Sequence, residues 1–178
     1  MIGTGPGEEE LRALVTAVGP RLNALAWSLT GHRQDAEDLV QETLVQVVRK
    51  WSRVRSSHNQ GAYVSSMMAN LFLSGRRRAS SREVVSDAVV AANVPPTSAH
   101  ERLEQGQDLV HRVAQLPERQ RAVLVLRYLE DFSTEQIAQA LSMSPGAVRS
   151  TTHRAYEALR THADGEQATA GRLTAPGA

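Results

Sequence analysis

The sequence predicts an all-α protein made of two small helical domains joined by a flexible linker. Only 4% of the residues are aromatic, whereas alanine, leucine, valine and arginine are frequent, and this balance favours helices over sheets. Apolar residues recur at helical spacing over residues 9–78 and again over 105–162. Between these stretches, Pro95 and Pro96 and several serines interrupt the pattern, which is typical of a linker.

The N-terminal domain, residues 8–78, is predicted to be a helical bundle. Its first helix covers about 8–30, and Gly31 is a plausible C-terminal stop. A second helix covers about 34–51; it begins with acidic residues and ends with basic ones, which suits the helix dipole. A polar loop is expected at 52–60, followed by a third helix over about 61–78.

The C-terminal domain, residues 105–162, is predicted to hold three or four helices that include a helix-turn-helix. Ser133 and Gln136 have the spacing of a capping box, and Ser144 followed by Pro145 is a typical helix start. The short connection between these two helices is characteristic of a helix-turn-helix, whose second helix enters the major groove of DNA. The linker is placed at 79–104, and residues 163–178 are expected to be a disordered tail.

The last predicted helix separates an apolar stripe from polar residues near its start. Val148, Thr152, Ala155 and Leu159 share the side predicted to face inward. Arginine can bond the edge of guanine with two hydrogen bonds, and serine, threonine or histidine can reach bases or phosphates. The DNA-contacting candidates are Arg149, Ser150, Thr151, His153 and Arg154. The alternative is a solvated polar face on an ordinary three-helix bundle.

Composition restricts the possible functions. The formal net charge is only +1, so DNA binding has to come from local patches. There are no cysteines, and the six histidines show no pair at helical ligand spacing, so we expect neither a metal site nor a cofactor. No catalytic constellation or phosphate loop is recognisable, and we expect no enzyme activity. Neither a secretory signal nor a long apolar run is present, so we expect a cytoplasmic protein that does not bind membranes.

Two surface features of the N-terminal domain suggest partners. Asp35, Asp38 and Glu42 share one face of the second helix, although a solvated face would show the same pattern. The run 76–78 consists of three arginines that follow Asn70 and Ser74, and it offers a cluster for phosphates. The alternative for this cluster is a solubilising helix end that the dipole favours.

Together these residues resemble the extracytoplasmic function sigma factors of bacterial RNA polymerase. The stretch DAEDLVQET at 35–43 is similar to a signature helix of that family, and LPERQRAVLVLRYLEDFS at 116–133 is similar to the beginning of its helix-turn-helix domain. The two stretches in this order, with a linker between them, are more specific than either alone. The resemblance covers residues 10–160 apart from the linker and is closest to the actinobacterial SigE-like subgroup.

The resemblance implies a role for each surface. The acidic helix would dock on the clamp helices of the largest subunit of core RNA polymerase, through Asp35, Asp38, Gln41 and Glu42. The third helix and the loop at 56–60 would open the −10 promoter element, through Asn70, Ser74, Arg76 and Arg77. The recognition helix would read the −35 element. The implied partners are core polymerase and promoter DNA, an anti-sigma factor remains open, and the free protein would be a monomer.

Two other classes compete with this interpretation. A stand-alone helix-turn-helix regulator would explain the C-terminal domain but would leave the acidic helix and the arginine cluster without a function. Such a regulator usually dimerises to address two half-sites, and no dimer interface is evident. A pure interaction domain, such as a decoy for an anti-sigma factor, would keep the same folds.

Overall fold

The computed structural model describes the backbone of residues 6–79 and 109–173, and the side chains of residues 7–75 and 109–161. All regular structure in these ranges is helical, as predicted. The first unit contains α1 (Pro6–Thr30), α2 (Arg33–Arg49), α3 (Trp51–Ser56) and α4 (Gln60–Ala79). The second unit contains α5 (109–115), α6 (Glu118–Tyr128), α7 (Thr134–Ala140) and α8 (Pro145–Leu173). No helix among the described residues is long and apolar enough to cross a membrane.

Gly31 ends α1, which confirms the predicted stop. Its φ of 73° lies in the left-handed region that glycine adopts without strain. The amide of Gly31 donates to the carbonyl of Trp27 at 2.8 Å, so the last turn of α1 closes before the chain reverses into α2.

The predicted loop at 52–60 is wrong in its first half, because Trp51–Ser56 forms the short helix α3. Val54 is fully buried in α3 and Trp51 packs against the same core, so apolar contact holds this turn in helical form. The loop is confined to residues 57–59. Its last residue, Asn59, accepts a hydrogen bond from the amide of Ala62 at 2.9 Å and so caps the start of α4.

The helix starts of the second unit are confirmed in detail. The hydroxyl of Ser133 accepts from the amide of Gln136 at 3.1 Å, and the Gln136 side chain accepts from the amide of Ser133 at 2.7 Å, forming the predicted capping box. The hydroxyl of Ser144 accepts from the amide of Ala147 at 3.1 Å. Residues 141–144 connect α7 to α8, which gives a helix-turn-helix.

The end of α8 differs from the prediction. The helix continues to Leu173, whereas a disordered tail was expected from residue 163. No proline occurs between Pro145 and Pro176, and two of the last residues of α8 are the good helix formers Ala168 and Ala170, so nothing in the sequence forces an end at 162. The linker positions 80–104 and the final residues 174–178 lie outside the described residues.

The two units share one apolar core. Leu25, Leu29 and Phe72 of the first unit belong to the same continuous cluster of buried residues as Val123 and Leu126 of the second. The sequence predicts two modules held only by a linker and contains no signal for this contact. The units nevertheless pack on each other, mainly through α1 and α4 against α6 and α7.

Candidate nucleic-acid interface

The start of α8 presents polar side chains to solvent. Arg149, Ser150, His153 and Arg154 are exposed, while Val148 and Ala155 on the opposite side are fully buried. No described acidic residue forms an ion pair with Arg149 or Arg154, whereas His153 lies 3.3 Å from a carboxylate oxygen of Glu157. We call the four exposed residues the recognition face.

The predicted position of Thr151 is wrong. Thr151 is only 9% exposed, so it faces the core with Val148 and Ala155 and cannot contact DNA in this arrangement. Thr152, predicted to face inward, is half-buried, and its hydroxyl donates to the carbonyl of Val148 at 2.9 Å. Residues three and four positions after Val148 lie on either side of its stripe, and in this packing the side that holds Thr151 is the more buried one.

A second surface lies on α2. Asp35, Asp38, Gln41 and Glu42 are all exposed, and the opposite side of the helix buries Ala36, Leu39, Thr43 and Val47. We call the four exposed residues the docking face.

The docking face keeps its negative charge available. Among the described residues, no cation lies within ion-pair distance of Asp35, Asp38 or Glu42. The neighbouring acid Glu37 is the one that Arg33 engages, at 2.9 Å. That hydrogen bond, with the charge of Glu37, raises the pKa of Arg33 above its ordinary value.

Sequence reasoning missed two apolar residues beside the docking face. Val45 and Val48 are 49% and 58% exposed, so both add apolar area to the solvent-facing side of α2. Val45 stands seven residues after Asp38, two helical turns along the same face. That spacing was the signal that could have placed Val45 in the candidate surface.

A groove of about 870 Å³ with polar and apolar lining runs along α4, and we call it the α4 groove. Its walls come from α2, the 57–59 loop, α4 and, from the second unit, the region of α7. Asn70 and Ser74, predicted to contact the −10 element, line the groove. Arg76 and Arg77 belong to α4, but their side chains lie outside the described residues. The first-unit lining includes Glu42, Lys50, His58, Asn59, Tyr63, Ser66 and Met67, and the second unit adds Phe132, Gln136, Gln139, Ala140 and Ser142.

Asn70 connects the two sides of the α4 groove. Its side-chain amide donates to the carbonyl of Ser66 at 2.9 Å and to the carbonyl of Ala140, at the end of α7, at 2.6 Å. The hydroxyl of Ser74 donates to the carbonyl of Asn70 at 2.6 Å and so stays within α4. The second unit therefore covers part of the surface that the sequence assigns to a single DNA strand.

The described residues contain no cluster of three or more histidines or acids that could hold a metal ion. The α4 groove is lined by amides, hydroxyls and hydrocarbon, together with the ionisable side chains of Glu42, Lys50 and His58. The amides and hydroxyls suit hydrogen bonding, and the ring of Tyr63 suits stacking.

Family comparisons match both units. Residues 14–82 match the family described as Sigma-70 region 2, and residues 106–159 match the family described as Sigma-70, region 4. The first match contains α2 and α4 with the docking face and the groove. The second contains the helix-turn-helix.

Named relatives point the same way. The RNA polymerase sigma-E factor of Streptomyces avermitilis is 36% identical over 71% of this chain and 69% of its own length. The ECF RNA polymerase sigma factor SigL of Mycobacterium tuberculosis is 32% identical over 84% of this chain and 86% of its own length. A longer relative is the ECF sigma factor SigE of Mycolicibacterium smegmatis, of which the chain spans 60% at 33% identity.

A solved structure has a similar fold. The sigma factor RpoE of Bartonella quintana, crystallised with the anti-sigma factor NepR, superposes with a TM-score of 0.65 at 25% identity. The match covers 86% of this chain and 96% of that one.

Proposed function

The chain belongs to the extracytoplasmic function sigma factors of the sigma-70 family, and we propose which of its surfaces carry out the work of such a factor. As a member of this family it directs promoter-specific initiation of transcription and is not an enzyme. Its docking face binds the clamp helices of core RNA polymerase, α4 engages the −10 element, and the recognition face reads the −35 element.

The observation that carries the docking assignment is the unpaired acidic face of α2. Three carboxylates without a described cationic partner gain most from a basic partner, because their charge is not already compensated within the chain. Val45 and Val48, further along α2, add exposed apolar area beside the acids. Protein interfaces combine apolar area with polar and charged residues, so both kinds of side chain suit a docking surface.

The DNA assignments depend on exposure and chemistry. Arg149 and Arg154 are exposed near the start of α8, where an arginine can bond the O6 and N7 atoms of guanine in the major groove. The α4 groove offers the Asn59 and Asn70 amides and the ring of Tyr63, which suit an unstacked base. Arg76 and Arg77 follow the groove along the chain and are proposed to hold the phosphates of that strand.

A stand-alone helix-turn-helix regulator is the weaker candidate, because the match to sigma-70 region 2 gives the first unit a function of its own. The similar protein RpoE was crystallised with an anti-sigma factor, and we propose a partner of that class for this chain too. The protein would then act in the cytoplasm, associated with the nucleoid through polymerase, and would be monomeric when free.

Two variants test the assignment by opposite outcomes. Asp38→Arg reverses one charge at the docking face and should reduce co-purification with core polymerase at least tenfold. Arg149→Ala should leave co-purification intact but reduce run-off transcription from a cognate promoter, because one base contact is worth about 1–3 kcal/mol. Glu9→Arg on α1 and Arg160→Ala further along α8 are exposed controls that should change neither measurement. If Asp38→Arg retained polymerase or Arg149→Ala lost it, the proposed surfaces would be wrong.

A further inference from the structure

Glu130 is a buried acid at the contact between the two units. It lies in the turn between α6 and α7, and its side chain is 1% exposed. One carboxylate oxygen accepts from the guanidinium of Arg21 on α1 at 2.8 Å, and the other accepts a hydrogen bond from the hydroxyl of Ser65 on α4. Both partners belong to the other unit, so the described hydrogen bonds of the Glu130 carboxylate all cross the contact between the units.

A second polar contact differs from this one. The guanidinium of Arg121 on α6 donates to the carbonyl of Leu29, in the last turn of α1, at 2.6 Å. It also donates to the carbonyls of Ala114 and Leu116 in its own unit and lies 5.6 Å from the centre of the Phe72 ring. Arg121 therefore keeps partners if the units separate, whereas Glu130 keeps none of its described ones.

We propose that Glu130 holds the second unit over the α4 groove in the free protein, and that the groove accepts a single DNA strand only after this contact opens. The inference deepens the proposed function and depends on it for the identity of the strand. The same closed arrangement engages Asn70, one of the proposed −10 residues, through the carbonyl of Ala140. Releasing Glu130 would free that amide for a base.

The chemistry of the contact suits a reversible closure. Only Glu130 is desolvated in this ion pair, and the cost of burying its charge offsets much of the attraction to Arg21 and of the hydrogen bond from Ser65, so the contact adds little net stability to the closed state. When the units part, the side chains of Glu130 and Ser65 become hydrated. The hydration of Arg21 changes little, because its side chain is already 53% exposed in the closed state. The shared apolar core adds to the cost of opening, and binding to polymerase and to DNA offsets that cost.

Distance measurements on the full chain test the closure independently of transcription. The protein has no native cysteine, so Ala24→Cys on α1 and Thr161→Cys on α8, both exposed, allow one pair of spin labels. The labelled chain should give a single compact distance distribution, and Glu130→Ala should add a population at longer distance. Arg21→Ala removes the charged partner from the other side and should act in the same direction. Glu135→Ala removes an exposed acid from the same unit and should leave the distribution unchanged.

Strand binding tests what the closure covers. The probe is a fluorescein-labelled single strand of 20 nucleotides of mixed sequence, titrated with the free protein. The apparent affinity is proportional to the fraction of open molecules, so Glu130→Ala, which raises that fraction, should tighten binding by about three- to tenfold relative to Glu135→Ala. Affinity for a mixed-sequence duplex should be equal in the two variants, because the recognition face is exposed in either state.

Several results would overturn the inference: an open distribution in the unmodified chain, equal distributions for Glu130→Ala and Glu135→Ala, or opening without tighter strand binding. Failure of the proposed function is distinguishable from these. It would show as absence of co-purification with core polymerase for the unmodified chain, whatever the distances.

Discussion

The two surfaces proposed to meet DNA are presented differently. The recognition face of α8 is exposed, with Arg149 and Arg154 free of described ion pairs. The α4 groove is partly covered, because α7 and the turn before it form one of its walls. The recognition face is open to solvent in this arrangement, whereas the proposed closure would have to open before the α4 groove could accept a strand.

The difference follows from how each surface is built. The recognition face depends on two caps, a short turn and an apolar stripe, all contained within residues 133–159. The covered groove depends on contacts between residues far apart in the chain, such as Arg21 with Glu130 and Asn70 with Ala140. The recognition face is thus exposed and built from a local motif, whereas the α4 groove is covered through long-range contacts. This difference suits the proposed function, in which the protein engages DNA fully only when polymerase holds both units. Three variants break or sharpen this contrast.

The largest effect is expected from Ile137→Ala. Ile137 is fully buried in α7, and truncating such a side chain costs about 2–5 kcal/mol because a cavity remains. Both tryptophans, Trp27 and Trp51, lie in the first unit, so their fluorescence reports on that unit, while circular dichroism reports on all helices. In a urea titration, part of the circular dichroism signal should be lost at a lower urea concentration than in the unmodified chain. The midpoint of the tryptophan fluorescence transition should also move to lower urea, by a smaller amount.

The shift of the tryptophan transition measures how much the second unit stabilises the first. An unchanged tryptophan transition would mean that the units fold independently and that the covering contact contributes nothing. Val45→Ala is the matched control, because it truncates an exposed valine on α2. It should change the free energy of unfolding, measured by either signal, by no more than about 0.5 kcal/mol.

Local sequence signals predict the recognition face far better than the covered α4 groove. The capping box at Ser133 and the cap at Ser144 were predicted to the residue, because each depends on neighbours within three positions. Thr151 was misplaced, because the choice between adjacent positions on a helix depends on the surface against which the helix packs. Burial of Glu130 could not be predicted at all, since its partners stand 65 and 109 residues away and an isolated glutamate in a turn is ordinarily solvated.

A smaller effect is expected at Gly31, where a local turn meets the contact between the units. Its positive φ disfavours any side chain, and an added Cβ would stand 2.8 Å from the Cβ of Ala114 in the second unit. Gly31→Ala should therefore destabilise the protein by about 1–3 kcal/mol and increase the open population in the labelled chain. Gly75→Ala is the matched control, because nothing lies within 4 Å of its added Cβ and a helical alanine is favoured by about 1 kcal/mol. Equal melting temperatures for the two variants would contradict this role of Gly31.

The smallest effect on stability is expected at Ser144, and it concerns only the helix that carries the recognition face. The Ser144 hydroxyl caps α8 through the amide of Ala147, so Ser144→Ala should cost about 1 kcal/mol of stability. Ser150→Ala makes the same exchange inside the helix, where the hydroxyl only donates back to the carbonyl of Ala147, and should change stability by less than about 0.5 kcal/mol. Because the cap lies outside the contact between the units, Ser144→Ala should leave the distance distribution of the labelled chain unchanged. A population at longer distance in the labelled Ser144→Ala chain would show that the start of α8 and the covered α4 groove are coupled. The recognition face would then not be independent of the contact between the units.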